Sequence, residues 1–281
     1  MKVRFIRPTK FGATDTVSDE DEQFAAWLVE RGIAEYVKET HQDLGKIANG
    51  ASPSEQKTAF EKLMDLSDGG DYLEFFGNAG HGKSRLLAHV AIEAKRAGKK
   101  VLFLDCEHSV SDRIKKELGD GYRRIGFMNL EKIIEAIATV PKGYDLVCFD
   151  SIGFPVLIRY AEMDMRQRGD AILKTILLRG HLKNYAETNK CLALATNQPK
   201  SELYGATHDI EKDELEERLG PVGGKSVHVA KGIIRMSIER QVPEKESIFG
   251  LRAFECQDIS FNKLLATFTV SDTGEKLEWK E

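Results

Sequence analysis

One stretch of this chain constrains its fold more than any other: residues Gly77 to Ser84, which read GNAGHGKS. They fit G-x-x-x-x-G-K-[ST], the glycine-rich loop whose backbone N–H groups surround phosphate. The apolar run Leu73 to Phe76 precedes this loop, as a buried strand would, and apolar residues at helical spacing follow it. A strand, a glycine loop and a helix in this order favour a phosphate-binding P-loop over a chance glycine-rich turn.

The P-loop predicts which residues contact a bound nucleotide. Lys83 would reach the β- and γ-phosphates, and the Ser84 hydroxyl would bind Mg²⁺. We therefore predict ATP and Mg²⁺ as cofactors. The predicted contacts comprise the loop and the residue after it: Gly77, Asn78, Ala79, Gly80, His81, Gly82, Lys83, Ser84 and Arg85.

The composition is typical of a soluble globular protein. The 281 residues are 41% hydrophobic and 31% charged, and the net charge of −4 excludes a protein that coats DNA by charge alone. No apolar run approaches the roughly 20 residues needed to cross a bilayer, and the N-terminus lacks a signal-peptide core. We therefore expect a cytoplasmic protein with no membrane partner. The four scattered cysteines favour buried thiols over a metal site.

The chain before the P-loop divides into two parts. Residues 1–40 predict a small α+β module, with a strand at Lys2–Arg7, a helix through Phe24–Val29 and a returning strand at Ile33–Val37. Residues 41–71 predict a linker and a lead-in helix that Ser54 caps and that runs to about Leu66.

Residues 72–281 predict an α/β core. Apolar strands alternate with helices, which indicates a mostly parallel central sheet with helices on both faces. The predicted strands are Leu73–Phe76, Lys100–Asp105, a short one near Ile125–Phe127, Asp145–Asp150 and Cys191–Thr196. The predicted helices include Leu130–Ala138 and Arg166–Thr188, the latter with Ile172, Ile176, Leu177 and Leu182 on its apolar face. Three closely spaced runs, Gly232–Glu239, Phe249–Glu255 and Leu264–Val270, predict antiparallel strands at the C-terminus.

Polar residues lie at the ends of three predicted strands besides the P-loop strand. Asp150 ends an apolar strand in the Walker B manner and would hold Mg²⁺, although a plain turn or cap residue fits the same position. Glu107 follows the strand that ends at Asp105, where a carboxylate can polarise an attacking water. Gln198 follows the last parallel strand, where an amide can reach the same crevice.

These motifs, in this order, resemble those of the RecA/RadA recombinase family. The resemblance covers roughly residues 55–270 and implies a RecA-like P-loop NTPase fold. It implies that Glu107 activates water, that Lys83 and Ser84 bind phosphate and magnesium, and that Asp150 is the Walker B acid. It also implies that Gln198 senses the γ-phosphate. The family assembles into filaments or rings, so self-association is expected, together with recombination or replication proteins as partners.

The resemblance places DNA-binding loops after Ser151 and after Gln198. Four basic residues in or near these loops are candidates for contacting single-stranded DNA, since arginine beside an aromatic suits phosphate and base contacts: Arg159, Arg166, Arg168 and Lys200. A solvated helix start explains the arginines equally well. The second loop also carries a strongly acidic segment, residues 209–218, which repels phosphate at short range. This segment fits a solvated helix with i,i+4 pairs, or an inhibitory or partner-binding segment.

The sequence therefore predicts a RecA/RadA-like ATPase that acts on single-stranded DNA in homologous recombination or repair. Two alternatives stay open. One is a regulatory or recombination-mediator ATPase, like RadA paralogues or KaiC, that works through protein partners without strand exchange. The other is a ring helicase motor of the DnaB type.

Overall fold

The structure is a computed structural model that describes residues 57–126, 129–200, 220–223, 230–242, 245–271 and 274–280, together with three strands nearer the N-terminus. The chain forms two compact units, residues 1–56 and residues 57–281. In the first unit, β1 (Lys2–Phe5) pairs antiparallel with β2 (Val17–Asp19) and with β3 (Ala34–Tyr36). The helix predicted through Phe24–Val29 lies outside the described residues.

The second unit is built on a nine-stranded sheet, as far as the structure describes it. Its strands are β4 (Tyr72–Phe76), β5 (Val101–Asp105), β6 (Tyr122–Arg124), β7 (Leu146–Asp150), β8 (Leu192–Asn197), β9 (Gly232–Val242), β10 (Glu246–Cys256), β11 (Leu264–Ser271) and β12 (Gly274–Trp279). Their order across the sheet is β12-β11-β10-β9-β4-β8-β7-β5-β6. Strands β4 to β9 pair in parallel, and β9 to β12 pair antiparallel. This confirms the predicted mostly parallel sheet with antiparallel C-terminal strands.

Six helices accompany the sheet in the described part of the chain. They are α1 (Ala59–Leu66), α2 (Lys83–Arg96), α3 (Asp112–Leu118), α4 (Leu130–Ala138), α5 (Phe154–Tyr160) and α6 (Met165–Asn189). The lead-in helix starts later than predicted: Thr58, and not Ser54, caps α1, because Thr58 and Glu61 form a capping box. None of the helices in the described ranges is long and apolar enough to cross a membrane.

The apolar core lies in two layers, one on each face of the sheet, because successive strand residues point to opposite faces. In β4, Leu73 and Phe75 pack in the layer with α1 and α2. Tyr72 and Phe76 pack in the other layer, with α4 and α6. The sheet is therefore covered on both sides, and Glu74 falls on the face that α6 covers.

The structure corrects three details of the predicted core. The short strand predicted near Ile125 is β6, which begins three residues earlier. Its exposed residues Arg123 and Arg124 are tolerated because β6 is an edge strand. A further strand, β12, follows the three predicted at the C-terminus. On α6, Leu177 is 52% exposed. The buried residues of α6 are Ala171, Thr175, Leu178, Arg179, Leu182 and Ala186.

Candidate active site

The site lies where four neighbouring parallel strands end. Strands β4, β8, β7 and β5 are adjacent in the sheet, so their carboxyl ends meet at one edge. The P-loop follows β4, Gln198 follows β8, Asp150 ends β7, and Glu107 lies two residues after β5. Ligands of open α/β sheets bind in this position. The fold thus brings together the residues that the sequence singled out at strand ends.

The P-loop needs its glycines for two physical reasons. Gly80 and Gly82 have φ values of +83° and +75°, in the left-handed region that favours glycine. A Cβ on Gly77 would lie 2.4 Å from the Met236 carbonyl oxygen on β9. The loop can therefore pass close to the sheet and enter α2 at Lys83.

Lys83 is buried at the centre of the loop, with 6% of its surface exposed. Its ammonium group donates to the carbonyl oxygens of Gly77 at 2.7 Å and Asn78 at 2.9 Å. It also donates to Oε1 of Gln198 at 3.1 Å. Three neutral acceptors thus hold the charge beside the helix N-terminus, where an anion is stabilised.

Gln198 connects this lysine to Glu107. While its Oε1 accepts from Lys83, its Nε2 donates to Glu107 Oε1 at 3.0 Å. The Ser151 hydroxyl also donates to Glu107 Oε1. Both predicted polar residues therefore face the same space as the P-loop, and two donors orient the Glu107 carboxylate.

Asp150 is fully buried and surrounded by hydroxyl groups. It accepts from Ser109 Oγ at 3.0 Å, from the Thr196 hydroxyl and from the Ser84 side chain. Burial, followed by the charge of Glu107, raises the pKa of Asp150 to about 6. A cation bound beside Asp150 would offset both effects.

Asp150 and Ser84 fit a magnesium site of the kind that phosphates complete. Mg²⁺ is usually held by one or two protein oxygens and keeps water and phosphate as its other ligands. The adjacent carboxylate and hydroxyl supply such oxygens. Within the described ranges, no cluster of three or more His, Cys, Asp or Glu side chains is arranged to hold a metal ion by itself.

A cavity of about 970 Å³ extends from the P-loop along α2. Of the predicted nucleotide contacts, Ala79, Gly80, Gly82, Lys83, Ser84 and Arg85 line it, together with Glu107 and Gln198. His81 instead turns to the sheet, where its Nδ1 donates to the Met236 carbonyl at 2.9 Å. Gly77 and Asn78 contribute through their carbonyls to Lys83.

The far end of the cavity contains residues that the sequence did not single out. His89 and Ile92 line it from α2, and Glu275 lines it from β12. Glu275 accepts from Arg85 Nε at 3.0 Å and lies 3.6 Å from His89 Nδ1. The nearby His89 imidazole, followed by the charge of Arg85, holds the pKa of Glu275 below its usual value. No local signal marked Glu275, because it follows Arg85 by 190 residues.

A buried polar cluster lies behind the site and was also missed. Arg179 on α6 donates to Glu74 through Nε at 2.8 Å and through Nη2 at 2.6 Å. The Tyr72 hydroxyl donates to Glu74 at 2.6 Å, and Asn197 Nδ2 donates to it at 2.7 Å. Burial raises the pKa of Tyr72 well above its usual value, and the charge of Glu74 acts in the same direction.

The four candidate DNA contacts lie in two places. Arg159 is exposed near the end of α5, and Arg166 is exposed in the first turn of α6. Arg168 lies over Tyr160, with its guanidinium 4.6 Å from the ring centroid and its Nε donating to the Tyr160 carbonyl at 3.1 Å. Lys200 is half-buried at the start of the second loop.

The second loop is closed at its base. Pro199 and Pro221 form an antiparallel bridge. Lys200 N donates to the Gly220 carbonyl at 2.8 Å, and Val222 N donates to the Gln198 carbonyl at 2.9 Å. The acidic segment 209–218 lies outside the described residues.

The sheet order, the P-loop after β4 and the acidic residues at neighbouring strand ends define a RecA-like P-loop NTPase fold. No family model matches the chain. The chain is similar to the DNA repair and recombination protein RadB of Methanococcoides burtonii, with 26% identity over 177 residues. That match covers 60% of this chain and 75% of the RadB chain. The chain is thus a RecA/RadA-recombinase-like protein, as its motifs predicted.

Proposed function

We propose that this chain is an ATPase that couples ATP binding and hydrolysis to the handling of single-stranded DNA in homologous recombination or repair. The observation that carries the proposal is the Gln198 side chain, which joins Lys83 to Glu107 within one cavity. A module that only bound nucleotide would not need a carboxylate that is joined to the phosphate-binding lysine through one side chain. A hydrolase needs one to orient water.

The hydrolysis is an in-line attack of water on the γ-phosphorus. A new P–O bond forms, the bond to the bridging β–γ oxygen breaks, and ADP leaves with that oxygen. Glu107 orients the water and accepts its proton, while Ser151 and Gln198 hold the carboxylate in place. Lys83 leaves its carbonyl partners for the phosphate oxygens and stabilises the negative charge that develops on them.

Asp150 and Ser84 would hold Mg²⁺. When bound, Mg²⁺ neutralises charge on the phosphate oxygens. The chain's own contribution is a buried carboxylate fixed by three hydroxyl donors. Two of these donors, Ser109 and Thr196, lie outside the P-loop and can hold the carboxylate while Ser84 binds Mg²⁺.

Single-stranded DNA is the proposed polymer ligand because basic residues follow the same strand ends that carry the nucleotide site. Arg159 and Arg166 are exposed after β7, and Lys200 follows β8. The similar RadB is named as a DNA repair and recombination protein. Recombination proteins as partners and self-association into a filament or ring belong to the same proposal.

One observation favours a second candidate, a regulatory or mediator ATPase that acts through protein partners. Arg168 is already engaged with Tyr160, which reduces its availability to a phosphate. The acidic sequence of residues 209–218 would also repel DNA and suit a basic partner surface.

A single assay tests the proposal: ATP hydrolysis with and without single-stranded DNA, with electron microscopy of the same samples. We expect Mg²⁺-dependent hydrolysis that DNA stimulates, and assemblies that form with nucleotide. Hydrolysis with no DNA binding at low salt would favour the mediator role. Absence of hydrolysis under all conditions would overturn the ATPase proposal.

A further inference from the structure

One edge of the nine-stranded sheet is β12, a strand of six residues. In the described part of the chain, β12 pairs with β11 alone, in an antiparallel ladder that places Phe268 opposite Leu277. The open side of an edge strand presents a row of N–H and C=O groups to which a further strand can bond. The side chains of β12 determine which strand fits there.

The hydrogen bonds to β11 show which backbone groups of β12 point outward. Lys280 N donates to the Leu265 carbonyl at 2.8 Å, so residue 280 faces β11. In an antiparallel ladder, alternate residues bond to the same neighbouring strand. The even-numbered residues of β12 therefore face β11, while Glu275, Leu277 and Trp279 direct their N–H and C=O groups away from the sheet.

The side chains of β12 alternate between the two faces of the sheet. Leu277 and Trp279 pack against the core layer that contains α1 and α2. Lys276 and Glu278 lie on the other face, where their side chains are 72% and 47% exposed and form an ion pair at 2.6 Å. Charges on an edge strand commonly prevent pairing. Here the two charges are of opposite sign, so their effect on pairing depends on the register.

One two-fold register satisfies both the backbone and the charges. An axis at Leu277 pairs all three outward-facing residues with the same three residues of a second copy. It also places Lys276 opposite Glu278 of that copy, in non-hydrogen-bonded pairs where opposite side chains come closest. An axis at residue 276 would oppose two lysines, and an axis at residue 278 would oppose two glutamates. The strand is therefore complementary to itself.

We propose that β12 pairs antiparallel with β12 of a second copy of this chain, around a two-fold axis at Leu277. The two sheets then form one continuous sheet, in which the backbone of Glu275 bonds to that of Trp279 in the second copy. Glu275 also lines the nucleotide cavity and accepts from Arg85, so the pairing lies beside the nucleotide site. A two-fold pair is closed, whereas a filament or ring is built head to tail. The contact is thus distinct from the self-association proposed above.

Charge reversal tests the pairing without changing a buried side chain. Lys276→Glu makes positions 276 and 278 both acidic, and Glu278→Lys makes both basic, so each variant opposes like charges when it pairs with itself. An equimolar mixture of the two variants restores unlike charges at all four positions. Lys132→Glu and Glu135→Lys make the same changes of charge on the exposed face of α4 and are the controls.

The readout is sedimentation velocity without nucleotide, over a micromolar series of protein concentrations. We expect the wild-type protein to form a reversible dimer with a micromolar Kd, because a pair of six-residue strands is a small interface. Each charge-reversal variant should raise the Kd by about tenfold or more, since two attractive cross-strand pairs become repulsive. The equimolar mixture and both controls should dimerise like the wild-type protein.

The outcomes separate this inference from the proposed function. A wild-type protein that stays monomeric across the series would overturn the inference, even if nucleotide produced larger assemblies. A dimer that both charge-reversal variants leave unchanged would overturn it too, and so would a mixture of the variants that fails to dimerise. The ATPase proposal would stand in each case, because the hydrolysis assay tests it independently.

Discussion

The Lys83 ammonium group donates to the Gln198 side chain at 3.1 Å, so one hydrogen bond joins the P-loop to the residue that follows β8. The other end of the same side chain donates to Glu107. A γ-phosphate that binds Lys83 would compete with Gln198 and with the Gly77 and Asn78 carbonyls for the ammonium group, and loss of the first bond would free Gln198 to face the phosphate. The P-loop is therefore linked to the base of the second loop through one side chain.

Lys83→Ala removes the only side-chain cation within the P-loop motif itself, residues 77–84. We expect ATP hydrolysis to fall by about 100-fold or more, the scale of losing a preorganised charge-stabilising donor. Phosphate release at saturating Mg²⁺ and ATP measures the effect. Lys132→Ala, an exposed lysine on α4, is the control and should hydrolyse ATP normally. Near-normal turnover in Lys83→Ala would contradict the phosphate role.

Glu107→Gln keeps the size of the side chain and an acceptor oxygen for Ser151 or Gln198. We expect kcat to fall by about 10²–10⁴-fold, because the amide cannot accept a proton, while KM changes little. Steady-state kinetics separate the two parameters. Glu135→Gln on the exposed face of α4 should match the wild-type protein. An increase in KM without a fall in kcat would mean that Glu107 binds nucleotide and does not activate water.

Arg179→Met leaves the Glu74 carboxylate buried without its partner. We expect the free energy of unfolding to fall by about 3–5 kcal/mol, and the double variant Glu74→Gln/Arg179→Met to recover much of that loss. Urea denaturation of the single and double variants measures the coupling. Lys174→Met removes two partly exposed ion pairs, to Asp170 on the same helix and to Glu131 on α4, and should cost at most about 1 kcal/mol for each pair. Equal losses in the single and double variants would argue against a coupled ion pair.

Arg166→Ala tests the DNA proposal through salt dependence. If Arg166 contacts a phosphate of single-stranded DNA, we expect weaker binding and a salt slope reduced by about 0.7 per lost contact. Arg168→Ala should have a smaller effect, because Arg168 is engaged with Tyr160. Fluorescence anisotropy across a salt series checks both variants. An unchanged slope in Arg166→Ala would remove Arg166 from the interface.

Most of the sheet could be predicted from the sequence, because buried parallel strands are apolar along their whole length and end at polar residues. β7 is an example: apart from the terminal Asp150 it is wholly apolar, and the predicted strand began one residue early, at Asp145, and ended at the same residue. The position of the short edge strand β6 was predicted incorrectly, because its residues are mostly polar. The strand was predicted at the apolar residues that follow it.

The buried ion pair could not be predicted in the same way. Glu74 is a single polar residue in an apolar strand, and its partner Arg179 follows 105 residues later. The predicted apolar face of α6 contained only large aliphatic residues. It therefore included Leu177, which is exposed, and omitted Arg179 and Thr175, which are buried. The hydrophobic pattern of a sequence does not reveal an ion pair in which both charged side chains are buried.

The Pro199–Pro221 bridge has a consequence for how this protein can diverge. The two ends of the second loop are held together by the core, whatever lies between them. Because the closure cost of a loop rises by only about 0.6 kcal/mol for each doubling of its length, the segment between can change in length and charge with little penalty to the core. The bridge therefore allows this segment to be exchanged, so that a new binding preference can arise while the residues around the P-loop stay the same.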